Sequence, residues 1–265
     1  LCVEGASLLY EYCEQKSIPY DRCGKLIVAR TQDEVPRLEE LFRRASANGV
    51  PGIRWLEASE TADVEPNCVG VAAVHSPSTG IVDYREVSLS LAAGLEQAGA
   101  EFRLSSPVRR ATRENETTVI ELDSGEQISA GYAIACAGLW SDRLAKRSGA
   151  PADPRILPFP GAYLHLELDG NDSRDVVRGM VYPVPDPELP FLGVHVTKRV
   201  QGDVIVGPTA LLVPSRDGYR FSKLRPRDAW DTLTWPGTWR VARAFWKTGV
   251  SEMRMAGSRK AFVRA

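Results

Sequence analysis

The 265-residue sequence is poor in the residues and motifs that announce most catalytic chemistry. It has three histidines, His75, His165 and His195, too few and too scattered to be read as a metal site. Its five cysteines, Cys2, Cys13, Cys23, Cys68 and Cys136, include no C-x-x-C pair, which argues against a disulfide framework or zinc cage and for reduced thiols in a cytoplasmic protein. G-x-S-x-G, H-E-x-x-H and the Walker A loop are all absent, so neither a nucleophile elbow, a zinc-protease helix nor a P-loop can be assigned. G-x-G-x-x-G is missing as well, and with it the usual pyrophosphate cradle. No stretch approaches the ~18 to 20 apolar residues of a membrane span. No basic-then-apolar leader opens the sequence. Charge of one sign is lacking too: 33 Lys+Arg against 34 Asp+Glu give a net −1, without the basic footprint of a nucleic-acid binder. The chain starts on Leu1, not Met, and is expected to be an internal fragment of a longer protein.

What is present is ordinary globular material, 43% apolar and 25% charged. Val3, Ala6, Leu9, Tyr12 and Cys13 make a helical stripe, and Gly24–Ala29 reads as a short strand. Thr31 and Glu34 have the spacing of a capping box ahead of a helix over Val35–Ala45, stopped at Asn48-Gly49. A second helix opens at Asp83, with Val87, Leu91, Leu95 and Ala98 inward and Gly99 closing it. Strands are expected at Glu101–Leu104 and Tyr132–Cys136, a hairpin over Thr117–Ser129, and a helix from Leu139 to Ser148. Beyond residue 160 the segments Tyr163–Leu168, Val177–Val184, Phe191–Lys198 and Val204–Val206 predict an antiparallel sheet with proline-stiffened connections.

Residues 216–265 hold 12 Lys+Arg and 4 Asp+Glu, leaving the remainder at −9, and they carry four of the six tryptophans. Two readings follow: a helical subdomain with tryptophans packed inward, which is preferred, or basic helices resting on an anionic membrane surface.

Two local features suggest chemistry. Tyr132–Ala137 runs into Gly138 and then into a helix, a strand-to-helix bend of small residues that lets a bulky ligand approach the backbone. In Phe191–Lys198, alternation places Phe191, Gly193, His195 and Thr197 on one face and Leu192, Val194 and Val196 on the other. The uniformly apolar face is expected to be the core side, which leaves His195 for a ligand cavity or a hydrogen-bonded surface position.

Leu1–Gly5, Cys23–Leu26, Ser76–Tyr84, Cys136–Leu139, Tyr182–Pro187, Pro190–His195 and Gly207-Pro208, in this order and spacing, resemble FAD-dependent oxidoreductases of the D-amino-acid oxidase type. The resemblance is closest to the L-2-hydroxyglutarate oxidase/dehydrogenase branch. Pro160 stands where that branch usually shows Arg.

The resemblance implies an α/β (α+β) chain: a partial FAD-binding Rossmann-like domain from residues 1–23 and 70–159, interleaved with an antiparallel-sheet substrate domain with helices from 24–69 and 160–265. It implies FAD as cofactor, with Val108 near the adenine and Cys136, Ala137, Gly138 and Trp140 at the pyrophosphate and ribitol. Tyr163, Tyr182 and Thr197 are implied on the substrate side, and His195 as the base for a small 2-hydroxy acid. Arg178 and Lys198 are cations that could meet the acid. The expected location is cytoplasmic, with peripheral contact to the inner membrane through residues 216–265 as the variant; quinone and oxygen both stay open as electron acceptor. The alternatives are an oxidase of another small amino or hydroxy acid, and a non-catalytic α/β binding module.

Overall fold

Strand Lys25–Ala29 alternates half-buried and buried residues as far as Val28 and runs through the middle of a sheet with a core on each face. The computed structural model describes residues 1–151, 153–167, 176–187, 193–213, 215–218 and 223–264. Its helices are α1 (Cys2–Lys16), α2 (Val35–Ala47), α3 (Ala58–Val64), α4 (Tyr84–Gln97), α5 (Ser141–Arg147), α6 (Pro226–Thr234), α7 (Pro236–Ala244), α8 (Trp246–Gly257) and α9 (Arg259–Arg264). The strands are β1 (Tyr20–Asp21), β2 (Lys25–Ala29), β3 (Arg54–Glu57), β4 (Ala72–Ser76), β5 (Ile81–Val82), β6 (Val108–Glu114), β7 (Thr117–Leu122), β8 (Gln127–Ala130), β9 (Gly161–His165), β10 (Met180–Pro183), β11 (His195–Lys198) and β12 (Val204–Ala210). These fall into two units: residues 1–99 with 161–209 and 255–265, and residues 100–160 with 210–254.

The first unit is built on a seven-stranded mixed sheet, β3-β4-β2-β10-β11-β12-β9. The antiparallel sheet expected beyond residue 160 is therefore one part of a larger one, since β10 pairs in parallel with β2. Each face of the sheet has its own core. Ala29, Ala72, Val74 and Val184 pack with Leu38 of α2 on one face. Leu26, Val28, Ala73 and Leu56 form the other, with Val64 of α3 against it. A third cluster, Cys13, Ile18 and Val87, joins α1 to α4.

Several sequence expectations need correction. The Thr31/Glu34 capping box does not form, because a 3-10 turn over Gln32–Glu34 precedes α2. Glu34 instead accepts from the Arg30 backbone N–H at 2.7 Å. On α4 only Val87 is buried; Leu91 and Leu95 are each 50% exposed. Glu101–Leu104 is not a strand, and neither is Tyr132–Cys136, where Tyr132 and Ile134 are 88% and 91% exposed. An apolar run becomes a strand only with a hydrogen-bonded neighbour, and among the described strands none pairs with this segment. Within Phe191–Lys198 the strand begins at His195; Phe191 and Leu192, like Leu168, lie outside the described residues.

In the second unit β6, β7 and β8 form an antiparallel meander. Asn115, at φ 56, makes its first turn, a left-handed position that Asn tolerates. The Ser148 hydroxyl, just past α5, accepts from the Ala111 N–H of β6 at 2.9 Å. Trp230, Trp239 and Trp246 are exposed, against the preferred inward packing. No described helix is long and apolar enough to cross a membrane.

Candidate active site

The row begins with register. β10 lies between β2 and β11. Met180 opposes Thr197 and Val181 opposes Val196, so the next antiparallel step brings Tyr182 opposite His195. The two rings stack with centroids 4.0 Å apart and planes 11° from parallel. His195 in turn opposes Gly207 of β12. A Cβ on Gly207 would lie 2.8 Å from the Ala162 carbonyl oxygen and 2.9 Å from Tyr163 Cδ1, and φ is +153° there. The missing side chain makes room for the Tyr163 ring, which meets His195 edge-on at 6.2 Å. On the other flank Lys25 Nζ lies 4.0 Å over the Tyr182 ring. Lys25, Tyr182, His195 and Tyr163 thus form one row across the sheet.

His195 is 7% exposed, the most buried residue of β11, whereas Val196 is only half-buried. The expectation that the apolar face would be the core side is overturned: aromatic neighbours bury the histidine more deeply than the valine. Its Nδ1 lies 3.0 Å from the Gly193 carbonyl oxygen. A carbonyl oxygen can only accept, so Nδ1 carries the hydrogen and Nε2 is left with its lone pair. Burial pushes the imidazole below its ordinary pKa, the Gly193 hydrogen bond opposing and the Lys25 charge adding to the shift. A neutral imidazole whose Nε2 has no hydrogen-bond partner among the described residues is a proton acceptor at neutral pH. Burial likewise raises the Tyr163 phenol, with Tyr182 contributing.

Thr197 shares this strand but sits two residue pairs further along, opposite Met180. Among the described residues its buried hydroxyl oxygen has no hydrogen-bond partner, and it lines a cavity of about 860 Å³ with Tyr10, Arg22, Ser76 and Lys198, not with His195. The two cations named from sequence are already engaged. Lys198 pairs with Asp21 at 2.7 Å, and Arg178 donates to the Asp63 carbonyl at 3.0 Å. Lys25 was not singled out as a site residue, although its signal was present: it shares a face with Ile27 and Ala29, a charge on one side of an apolar strand. Glu65 was missed as well. Its buried carboxylate accepts from the Arg178 and Gly179 N–H groups at 2.9 and 2.6 Å and holds the entry to β10.

The residues implied for the cofactor lie in the second unit. Val108 starts β6, exposed, at a register irregularity before Arg110. Cys136 and Gly138 are exposed, Ala137 is half-buried, and Trp140 ends the 3-10 turn before α5. Gly138 has φ +52° and, its chain neighbours aside, no described atom within 4 Å of where a Cβ would stand, so there is space on that side of the bend. That fits flavin contact along the bend, although these residues supply no pyrophosphate cradle. Behind the bend the structure is rigidly tied. Arg216 donates to both carboxylate oxygens of Asp142, at 2.7 Å for Oδ2, and to the Leu139 carbonyl. Asp142 also accepts from the Ile156 N–H at 3.1 Å. Burial alone would raise the Asp142 carboxyl, but the Arg216 hydrogen bonds outweigh it and hold the group below the usual range.

Comparison with known proteins gives the family. A family model described as FAD dependent oxidoreductase (DAO) matches residues 1–259. The chain is 43% identical over 267 residues to human mitochondrial L-2-hydroxyglutarate dehydrogenase, covering 97% of this chain and 57% of that protein. It is 38% identical over 265 residues to L-2-hydroxyglutarate dehydrogenase of Indibacter alkaliphilus, covering 100% and 65%. Among solved structures, L-α-glycerophosphate oxidase from Mycoplasma pneumoniae with FAD bound superposes with a TM-score of 0.65 at 26% identity, over 73% of this chain and 51% of that one. Glycine oxidase from Geobacillus kaustophilus also gives 0.65, at 18% identity over 79% and 55%, a likeness of fold. The chain spans a little over half to about two thirds of the length of these curated relatives. It belongs to the DAO family of FAD-dependent oxidoreductases.

Proposed function

We propose that the intact protein oxidises L-2-hydroxyglutarate to 2-oxoglutarate, with FAD as cofactor. The observation that carries this reading is the row around His195, a buried neutral imidazole with one nitrogen tied and the other free, in a chain 38–43% identical to two L-2-hydroxyglutarate dehydrogenases. His195 Nε2 accepts the proton of the substrate hydroxyl; the Gly193 carbonyl keeps the ring in the required tautomer and orientation. Tyr182 and Tyr163 wall the imidazole on two sides and exclude water from it. Thr197, implied on the substrate side by the resemblance, lines the neighbouring cavity and has no part in this step. Val108, Cys136, Ala137, Gly138 and Trp140 would hold the FAD, which supplies the hydride acceptor when bound. The test is turnover by the intact flavoprotein: L-2-hydroxyglutarate is consumed with formation of 2-oxoglutarate, and the D enantiomer is not. A protein that leaves L-2-hydroxyglutarate untouched while oxidising a small amino acid would replace this reading.

The location proposed is cytoplasmic, with peripheral contact to an anionic membrane through residues 216–265. The exposed indoles of Trp230, Trp239 and Trp246, together with the net +8 of that segment, support this contact. Co-sedimentation with phosphatidylglycerol vesicles, abolished by high salt and absent with phosphatidylcholine, is expected; equal behaviour with both lipids would rule it out.

A further inference from the structure

The row contains a cation that the proton transfer does not use. Lys25 is half-buried, and burial lowers its ammonium pKa without a carboxylate neighbour to offset the effect. Among the described residues it pairs with no acid, unlike the nearby Lys198. Its contact is the Tyr182 ring, a cation–π interaction that leaves hydrogen-bond donors unspent. An ammonium held in this way away from water is a site for an anionic ligand group.

Register decides which ligand group it meets. Lys25 reaches Tyr182 from the β2 side, while His195 stacks on Tyr182 from the β11 side. The straight line from the ammonium to the imidazole therefore passes through the Tyr182 ring. A hydroxyl and a carboxylate on neighbouring carbons have oxygens only about 3 Å apart, too short a bite to pass around that ring and hydrogen-bond at both ends. In a five-carbon diacid the hydroxyl oxygen and the far carboxylate are separated by roughly 5 Å. With a hydrogen bond of ~2.8 Å at each end, that is enough to arch over the edge of the ring.

We propose that Lys25 binds the distal carboxylate of the substrate and so makes the site selective for a five-carbon dicarboxylate over 2-hydroxy acids with an uncharged tail. This inference rests on the functional reading above and names the residue that would set its substrate preference. The test is equilibrium binding to the intact flavin-loaded protein, by calorimetry, of glutarate and of its uncharged-tail counterpart pentanoate. Wild type is expected to bind glutarate at least tenfold more tightly. Lys25→Met should erase that preference by weakening glutarate tenfold or more while leaving pentanoate within about twofold, and Lys25→Arg should restore part of it. A Lys25→Met protein that keeps the glutarate preference overturns the inference and leaves the functional reading standing. A wild type that binds neither acid and does not oxidise L-2-hydroxyglutarate overturns both.

Discussion

The His195 row and the Ala137-Gly138 bend are the two places where chemistry was expected, and they are built in opposite ways. In the row protein occupies three flanks of the imidazole: Tyr182 on one face, Tyr163 at its edge, the Gly193 carbonyl on Nδ1. The bend is open outward and braced only from behind, by Arg216 and Asp142. A proton acceptor has to be held in one tautomer and kept from bulk water, so its surroundings come from the chain itself. A backbone that accommodates a large cofactor needs an unobstructed outer surface and a firm support. On the function proposed above, the difference is that of a reacting group and a seat.

The support behind the bend is the sharpest place to break this contrast. Arg216→Met leaves Asp142 as a buried carboxylate without its cation and frees the Leu139 carbonyl. It is expected to destabilise the second unit by about 3–5 kcal/mol, with chemical denaturation followed through the tryptophans as the measurement. A loss below 1 kcal/mol would mean that the bend is held by something else. A smaller effect is expected in the row. Gly207→Ala places a Cβ against the Ala162 carbonyl and the Tyr163 ring in a backbone region that suits glycine. The expected destabilisation is roughly 1–3 kcal/mol, with Tyr163 displaced from His195. Unchanged tyrosine fluorescence and stability would show that the row does not depend on this gap.

Sequence patterning captured what local physics dictates. The helix over Val35–Ala47, the Asp83 cap of the next helix and the β7–β8 hairpin each rest on contacts a few residues apart. It failed where a partner lies far along the chain. Tyr132–Cys136 has the apolar content of a buried strand, but composition does not reveal whether a neighbouring strand pairs with it. Strands β3, β4 and β5, for which no expectation was drawn from local pattern, exist through pairing with β2, with one another and with β1. At the candidate site alternation put His195 and Thr197 on one face, yet the depth of that face depended on Tyr182 and Tyr163 arriving from two other strands. Lys25 escaped notice for the same reason: its importance comes from β10 lying beside β2, a parallel pairing separated by about 155 residues of chain.

The central claim, that His195 is neutral and bonded through Nδ1–H to Gly193, can be read by nitrogen NMR of the imidazole across a pH titration. A proton lost on folding makes the folded state bind fewer protons than the unfolded chain, so stability from this group is present above the ordinary imidazole pKa and is lost as pH falls toward the depressed one. The expected result is an Nδ1-protonated neutral ring at pH 7, with a midpoint below the ordinary value of about 6.5. An imidazolium at pH 7, or a neutral ring protonated on Nε2, would contradict the account.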